Sequence, residues 1–96
     1  MKESYVYILS NKNRTVLYVG VTSDLMTRIE NHKKGIGSKF TKKYNVHDLM
    51  YFEKFLNINE AIRREKTLKN WHSEWKWDLI KKENLDLKDL YNALKL

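Results

Sequence analysis

The chain has no cysteine, no long apolar run, and no acidic residue between positions 31 and 47. Without cysteine there is no disulfide and no thiolate metal site, which suits a reducing compartment. No segment approaches the roughly 18 consecutive apolar residues of a membrane span, and the N-terminus lacks the apolar run of a signal peptide. These absences point to a cytoplasmic protein with no membrane association. Repeats, low-complexity tracts and linkers are also missing.

What is present is basic. The net charge is +7 over 96 residues, with a pI near 9.6. Such a domain draws polyanions through its summed field, whatever its fold. Nucleic acid is one partner class, and ribosomal, regulatory and merely soluble basic domains share the same balance. The length predicts one domain over 1–96, burying about 60–65% of its unfolded surface.

Tyr5-Val6-Tyr7-Ile8-Leu9 and Leu17-Tyr18-Val19-Gly20-Val21 are β-branched and aromatic, and flank a polar turn at Asn11-Lys12-Asn13-Arg14. They predict a β-hairpin whose strands each carry a tyrosine. Thr22-Ser23-Asp24 offers N-cap side chains, and Leu25 to Lys34 reads as a helix closed by Gly35. Gly35-Ile36-Gly37-Ser38 reads as a flexible turn. Asp48 to Glu53 reads as a third strand. Asn59 suits the N-cap of a helix from Glu60 to about Asn70. Trp71 to Glu83 predicts a further helix, and Leu87, Leu90, Tyr91 and Leu94 an amphipathic last one. The order ββαβααα, with strands grouped early, predicts an α+β fold: a small three-stranded antiparallel sheet flanked by helices.

Several side chains stand out. Glu65 falls inside the apolar stripe of Ala61, Ile62 and Leu68, where an unpaired charge is expensive. It must be paired with Arg28 or a lysine, protonated, or bound to a cation. Arg28 and His32 are four residues apart on one helix and share a face. They form either a solvated polar surface or a phosphate clamp with a proton relay. Tyr7 and Tyr18 share a sheet face only in a suitable register, which the sequence leaves open. Cross-strand packing explains them equally well. Lys33, Lys34, Lys39, Lys42 and Lys43 form a basic stretch with Phe40 and Tyr44 between them. As a loop it suits a phosphate backbone or an unstacked base, or is simply mobile. Trp71, Trp75 and Trp77 follow helical spacing only in part, so two pack in the core and one is exposed.

Taken together, these residues resemble the GIY-YIG nuclease family over roughly Ser4 to Tyr91. Tyr5-Val6-Tyr7 stands where the family has Gly-Ile-Tyr, and Tyr18-Val19-Gly20 where it has Tyr-Ile-Gly. Arg28 follows Tyr18 by ten residues, and His32 follows by four more. Glu65 matches the family's metal-binding glutamate. The chain is most similar to small stand-alone bacterial members, relatives of the excinuclease C N-terminal nuclease domain. It departs in having Tyr5 for the first glycine, and Asn84-Leu85 where small members often carry Asn-Pro.

The resemblance implies a metal-dependent DNA endonuclease with Mg²⁺ (or Mn²⁺) on Glu65. Tyr7 would deprotonate the attacking water, Tyr18 would bind phosphate or position that water, and Arg28 would stabilise the transition state. His32 would relay a proton or orient a tyrosine hydroxyl. A phenol titrates near 10, so a basic Tyr7 needs positive charge close by. Gly20 is expected to ease the backbone out of the strand. With no recognition module visible, target choice falls to a protein partner or a homodimer. The competing functions are a non-catalytic nucleic-acid-binding module of the same fold, and a protein-interaction subunit of a DNA-repair complex.

Overall fold

In the computed structural model, which describes residues 3–95, three strands form one antiparallel sheet. These are β1 (Ser4–Asn11), β2 (Leu17–Thr22) and β3 (Val46–Phe55), in the spatial order β2-β1-β3. The helices are α1 (Leu25–Lys33), α2 (Lys39–Tyr44), α3 (Ile58–Asn70), α4 (Ser73–Glu83) and α5 (Tyr91–Leu94). The fold is α+β, in the expected order ββαβααα. The short helix α2 is added between α1 and β3, where a loop was expected.

Strand β1 is central, and Val6 through Ser10 are buried. Its residues alternate between the two faces of the sheet. Val6 and Ile8 join Val19, Met50, Ala61, Leu68 and Ile80 beneath α3 and α4. Tyr7 and Leu9 join Leu25, Ile29, Val46 and Leu49 beneath α1. The hairpin register pairs Tyr7 with Gly20, and Leu9 with Tyr18. Opposed residues of an antiparallel pair share a face, so both tyrosines lie on the α1 side.

Gly20 does not serve a strand exit, because β2 continues to Thr22. A Cβ at Gly20 would collide with the hydroxyl end of the Tyr7 ring. The glycine therefore makes room for the phenol.

Helix α1 begins and ends as expected. Asp24 accepts from the Thr27 N–H at 3.2 Å. Gly35 takes φ +78, with Gly35 N–H donating to His32 O and Ile36 N–H to Asn31 O. That is a Schellman ending. Helix α3 is capped by Asn57, not Asn59: the Asn57 side chain accepts from the Asn59 N–H at 2.8 Å. Trp71 is extended, and α4 starts at Ser73. Trp71 and Trp77 pack against the core while Trp75 is exposed, as expected.

The last helix is one turn, not the 87–94 span expected. The chain before it is stitched to β3 instead. Buried Asn84 donates to Met50 O at 3.1 Å and Lys88 O at 2.7 Å, and accepts from the Lys88 N–H at 3.0 Å. Asp89 accepts from the Leu49 N–H at 2.9 Å. These side-chain bonds substitute for helix ladder bonds and give Asn84 a structural role.

Candidate active site

The site starts from a buried phenol. Tyr7 is wholly buried, and its hydroxyl accepts from Arg28 Nε at 3.2 Å and meets His32 Nε2 at 2.9 Å. His32 is also wholly buried, with Nδ1 3.0 Å from Thr41 Oγ1. Strand β1 thus supplies Tyr7, α1 supplies Arg28 and His32 one turn apart, and α2 supplies Thr41.

Helix α2 exists because Ser38 caps it. Ser38 Oγ accepts from the Thr41 N–H at 3.1 Å, the usual bond from an N-cap to the third helical residue. That bond sets Thr41 Oγ1 against the imidazole. Gly37 completes the fit, since a Cβ there would run into the His32 ring. The sequence reading missed Gly37, Ser38 and Thr41. The signal available was Ser38 three residues before Thr41, just past a Gly-Ile-Gly break.

Burial pushes the Tyr7 pKa up to about 12, with Tyr18 and Glu65 acting the same way and Arg28 opposing. Burial pulls His32 down to about 4, helped by the positive charge of Arg28. At neutral pH the phenol keeps its proton and the imidazole is neutral. Arg28 can only donate, so the Tyr7 proton is free for His32 Nε2, leaving Nδ1–H to donate to Thr41. Arg28 faces both tyrosines, and hydrogen bonding to Tyr7 is the first cause raising its own pKa.

Tyr18 is half-buried. Its ring lies 6.4 Å from Tyr7, 5.6 Å from His32 and 5.9 Å from Phe40, centroid to centroid. It forms the solvent side of the cluster.

Glu65 comes from α3, which packs on the other face of the sheet. Strand β2 is an edge strand, so a long side chain can act past it. The Glu65 charge is close enough to raise the Tyr7 pKa. The carboxylate is mostly buried, 15% exposed, and pairs with Lys69 at 3.3 Å. Among the described residues, no group of three or more His, Asp or Glu side chains could hold a metal ion. A lone carboxylate still fits Mg²⁺, which keeps waters and substrate phosphate as its other ligands.

The basic stretch divides. Lys33 turns away from the site, pairing with Asp89 at 2.5 Å and donating to His47 O at 3.1 Å. Lys34, Lys39, Lys42 and Lys43 are exposed.

The family model of the GIY-YIG catalytic domain matches residues 3–83. The chain belongs to the GIY-YIG family. A UPF0213 protein of Pediococcus pentosaceus is 37% identical over 86 residues, 90% of each chain. A UPF0213 protein of Clostridium perfringens is 39% identical over 82 residues, 85% of this chain and 87% of that one. The solution NMR structure of a UPF0213 protein from Bacillus halodurans superposes with a TM-score of 0.57 at 31% identity, covering 98% of this chain and 96% of the other. The hairpin register brings to one face Tyr7 and Tyr18, the two tyrosines that the resemblance sets against the family's motifs. No helix among the described residues is long and apolar enough to cross a membrane.

Proposed function

We propose that this GIY-YIG protein is a metal-dependent endonuclease that hydrolyses phosphodiester bonds in DNA. The observation that carries the reading is the convergence on the Tyr7 hydroxyl. A guanidinium and an imidazole from one helix hold it, at 3.2 and 2.9 Å, with Tyr18 beside it and Glu65 within electrostatic reach. Burying that many polar groups in a small domain is costly unless each finds a partner, and a fully partnered polar cluster is held in one geometry.

The base must touch water. Tyr7 has no exposed surface and a pKa near 12, so it holds Arg28 and His32 in place. Tyr18, half-buried at the mouth, is the phenol that meets the attacking water. This moves to Tyr18 the role that the family resemblance gives to Tyr7. Arg28 donates from its remaining N–H groups to the phosphate and stabilises its charge as it builds. Neutral His32 accepts the Tyr7 hydrogen bond and fixes the orientation of the phenol. Glu65 would hold Mg²⁺ or Mn²⁺, which supplies charge neutralisation at the phosphate oxygens.

The test is cleavage of a panel of labelled DNA and RNA structures in Mg²⁺, Mn²⁺ or EDTA. Metal-dependent internal cleavage is expected for the wild type and none for Glu65→Gln. Cleavage that persists in EDTA or in Glu65→Gln would overturn the reading.

A further inference from the structure

Helix α2 presents two large aromatic rings to solvent. Phe40 is 41% exposed and Tyr44 is 44% exposed. They extend a row that begins in the site. Tyr18 stacks on Phe40 at 5.9 Å with 27° between planes, and Phe40 meets Tyr44 at 4.9 Å. The row is set in positive charge. Lys34, Lys39, Lys42 and Lys43 are all exposed, and Lys43 Nζ lies 5.2 Å from the Tyr44 ring centre. No carboxylate occurs in this stretch of chain.

Exposed ring faces flanked by ammonium groups match one ligand chemistry. An unpaired nucleotide offers a base to stack and a phosphate to neutralise. A duplex offers only its phosphates, because its bases are stacked inside. The exposed rings are therefore useful to an unpaired strand and of little use to a duplex. Continuity with Tyr18 places the stacked base next to the bond to be cut.

We infer that Phe40 and Tyr44 form a base-stacking subsite for an unpaired nucleotide, so that the substrate is single-stranded or carries a single-stranded segment at the cleavage point. The cleavage part of this statement rests on the endonuclease reading above, and the binding part does not.

The full chain is titrated, in EDTA, into a short single-stranded oligonucleotide carrying a fluorescent adenine analogue, and into the same sequence as a duplex hairpin. Quenching of the analogue on binding is expected for the single strand. Tyr44→Ala and Phe40→Ala should each weaken single-strand binding about ten-fold, in line with the loss of one stacked base. Duplex affinity should stay within about two-fold. Phe40→Trp should restore the single-strand affinity. Phe40 also supports Tyr18, so Tyr44→Ala carries the test if Phe40→Ala lowers the melting temperature.

Equal losses on single strand and duplex, or no loss on either, overturn the subsite. So does a wild type that binds only duplex or only acidic polypeptide. A ribo-oligonucleotide bound with the same quenching and the same Tyr44 dependence supports the subsite and shows that the sugar is not read. A wild type that binds and quenches but cuts nothing in Mg²⁺ supports the subsite and removes the endonuclease reading. A wild type that cuts duplex in Mg²⁺, with single-strand binding unchanged in Tyr44→Ala, supports the endonuclease reading and removes the subsite.

Discussion

One strand builds both faces of the sheet, and the faces differ in kind. On the α3 and α4 side, Val6 and Ile8 meet Val19, Met50, Ala61, Leu68 and Ile80, an almost wholly apolar contact. On the α1 and α2 side, the next residue along, Tyr7, meets His32 and Arg28. Thr41, buried behind His32, continues the hydrogen-bonded chain. Apolar packing is non-directional and tolerates volume-conserving exchange. A buried polar chain tolerates almost none, because each member left without its partner costs desolvation. Among the described residues no buried side-chain nitrogen or oxygen lacks a partner. The first face therefore stabilises the domain, and the second fixes positions. The following variants separate these two roles.

The largest effects belong to activity on the site face. Glu65→Gln should abolish metal-dependent cleavage, since it removes the ligand that brings the metal. Its stability cost should be under about 1 kcal/mol, because its ion-pair partner Lys69 is half open to solvent. Tyr18→Phe should cost about 10²–10⁴ in rate, the usual worth of a positioned base. Tyr7→Phe should cost less in rate and more in stability, about 1–3 kcal/mol, because it strands the His32 nitrogen. Single-turnover cleavage and melting of the same samples decide. If Tyr7→Phe loses more rate than Tyr18→Phe, the base is Tyr7, and the site must open to admit water.

On the other face the balance should reverse. Ile8 is fully buried, and Ile8→Ala should cost about 2–5 kcal/mol through lost burial and the cavity left behind. Cleavage per folded molecule should not change. Chemical denaturation measures the first, and active-site titration with a tight oligonucleotide measures the second. A rate loss as large as that of Tyr18→Phe would mean that the faces are mechanically coupled, not separate.

Much of this was legible in the residue pattern. The alternation around Tyr7 and Tyr18, the Asp24 cap and the Gly35 stop all produce what they predict, because each acts through local geometry. The register that joins the tyrosines was not legible. It depends on the empty volume at Gly20, and a glycine in a strand reads equally well as a turn. Thr41 was missed because a stretch dense in lysine looks mobile, whereas Ser38 and His32 order it. The helix expected over 87–94 failed because Asn84 and Asp89 bond to the backbone beside them and to β3. Periodicity does not register such non-local bonds.

The two faces also differ in how they should respond to acid. In the native state His32 titrates near 4, against about 6.5 when unfolded. Between those values the unfolded chain takes up a proton that the native protein refuses. Stability is therefore full above about pH 6.5, and declines as pH falls toward 4 by at most about 3 kcal/mol. Glu53 and Asp89, both held below the ordinary carboxylate range, contribute to a separate loss at lower pH. Melting temperatures from pH 8 to pH 4 should show the first decline in the wild type, and His32→Gln should flatten it. An unchanged slope in His32→Gln would mean that His32 is not buried neutral, and the proposed Tyr7 hydrogen-bond direction would fail with it.

The smallest effects separate lysines that look alike in sequence. Lys33 pairs with Asp89 and supports the C-terminal segment, whereas Lys42 and Lys43 end in solvent on α2. Lys33→Ala should cost about 1 kcal/mol of stability, a partly exposed pair, and leave the salt dependence of nucleic-acid binding alone. Replacing Lys42 and Lys43 together by alanine should do the opposite. Each phosphate neutralised releases counterions, so log K falls with log salt by about 0.7 per single-strand phosphate and about 0.9 per duplex phosphate. The double variant should therefore flatten that slope by up to two contacts' worth, weaken binding to all sequences alike, and leave the melting temperature nearly unchanged. Salt titrations of binding on the three proteins check both halves. A flattened slope in Lys33→Ala would mean that its pair with Asp89 opens to receive phosphate. An unchanged slope in the double variant would move the phosphate contacts off α2, to the exposed Arg63, Lys66 and Lys69 on α3, the helix that carries Glu65.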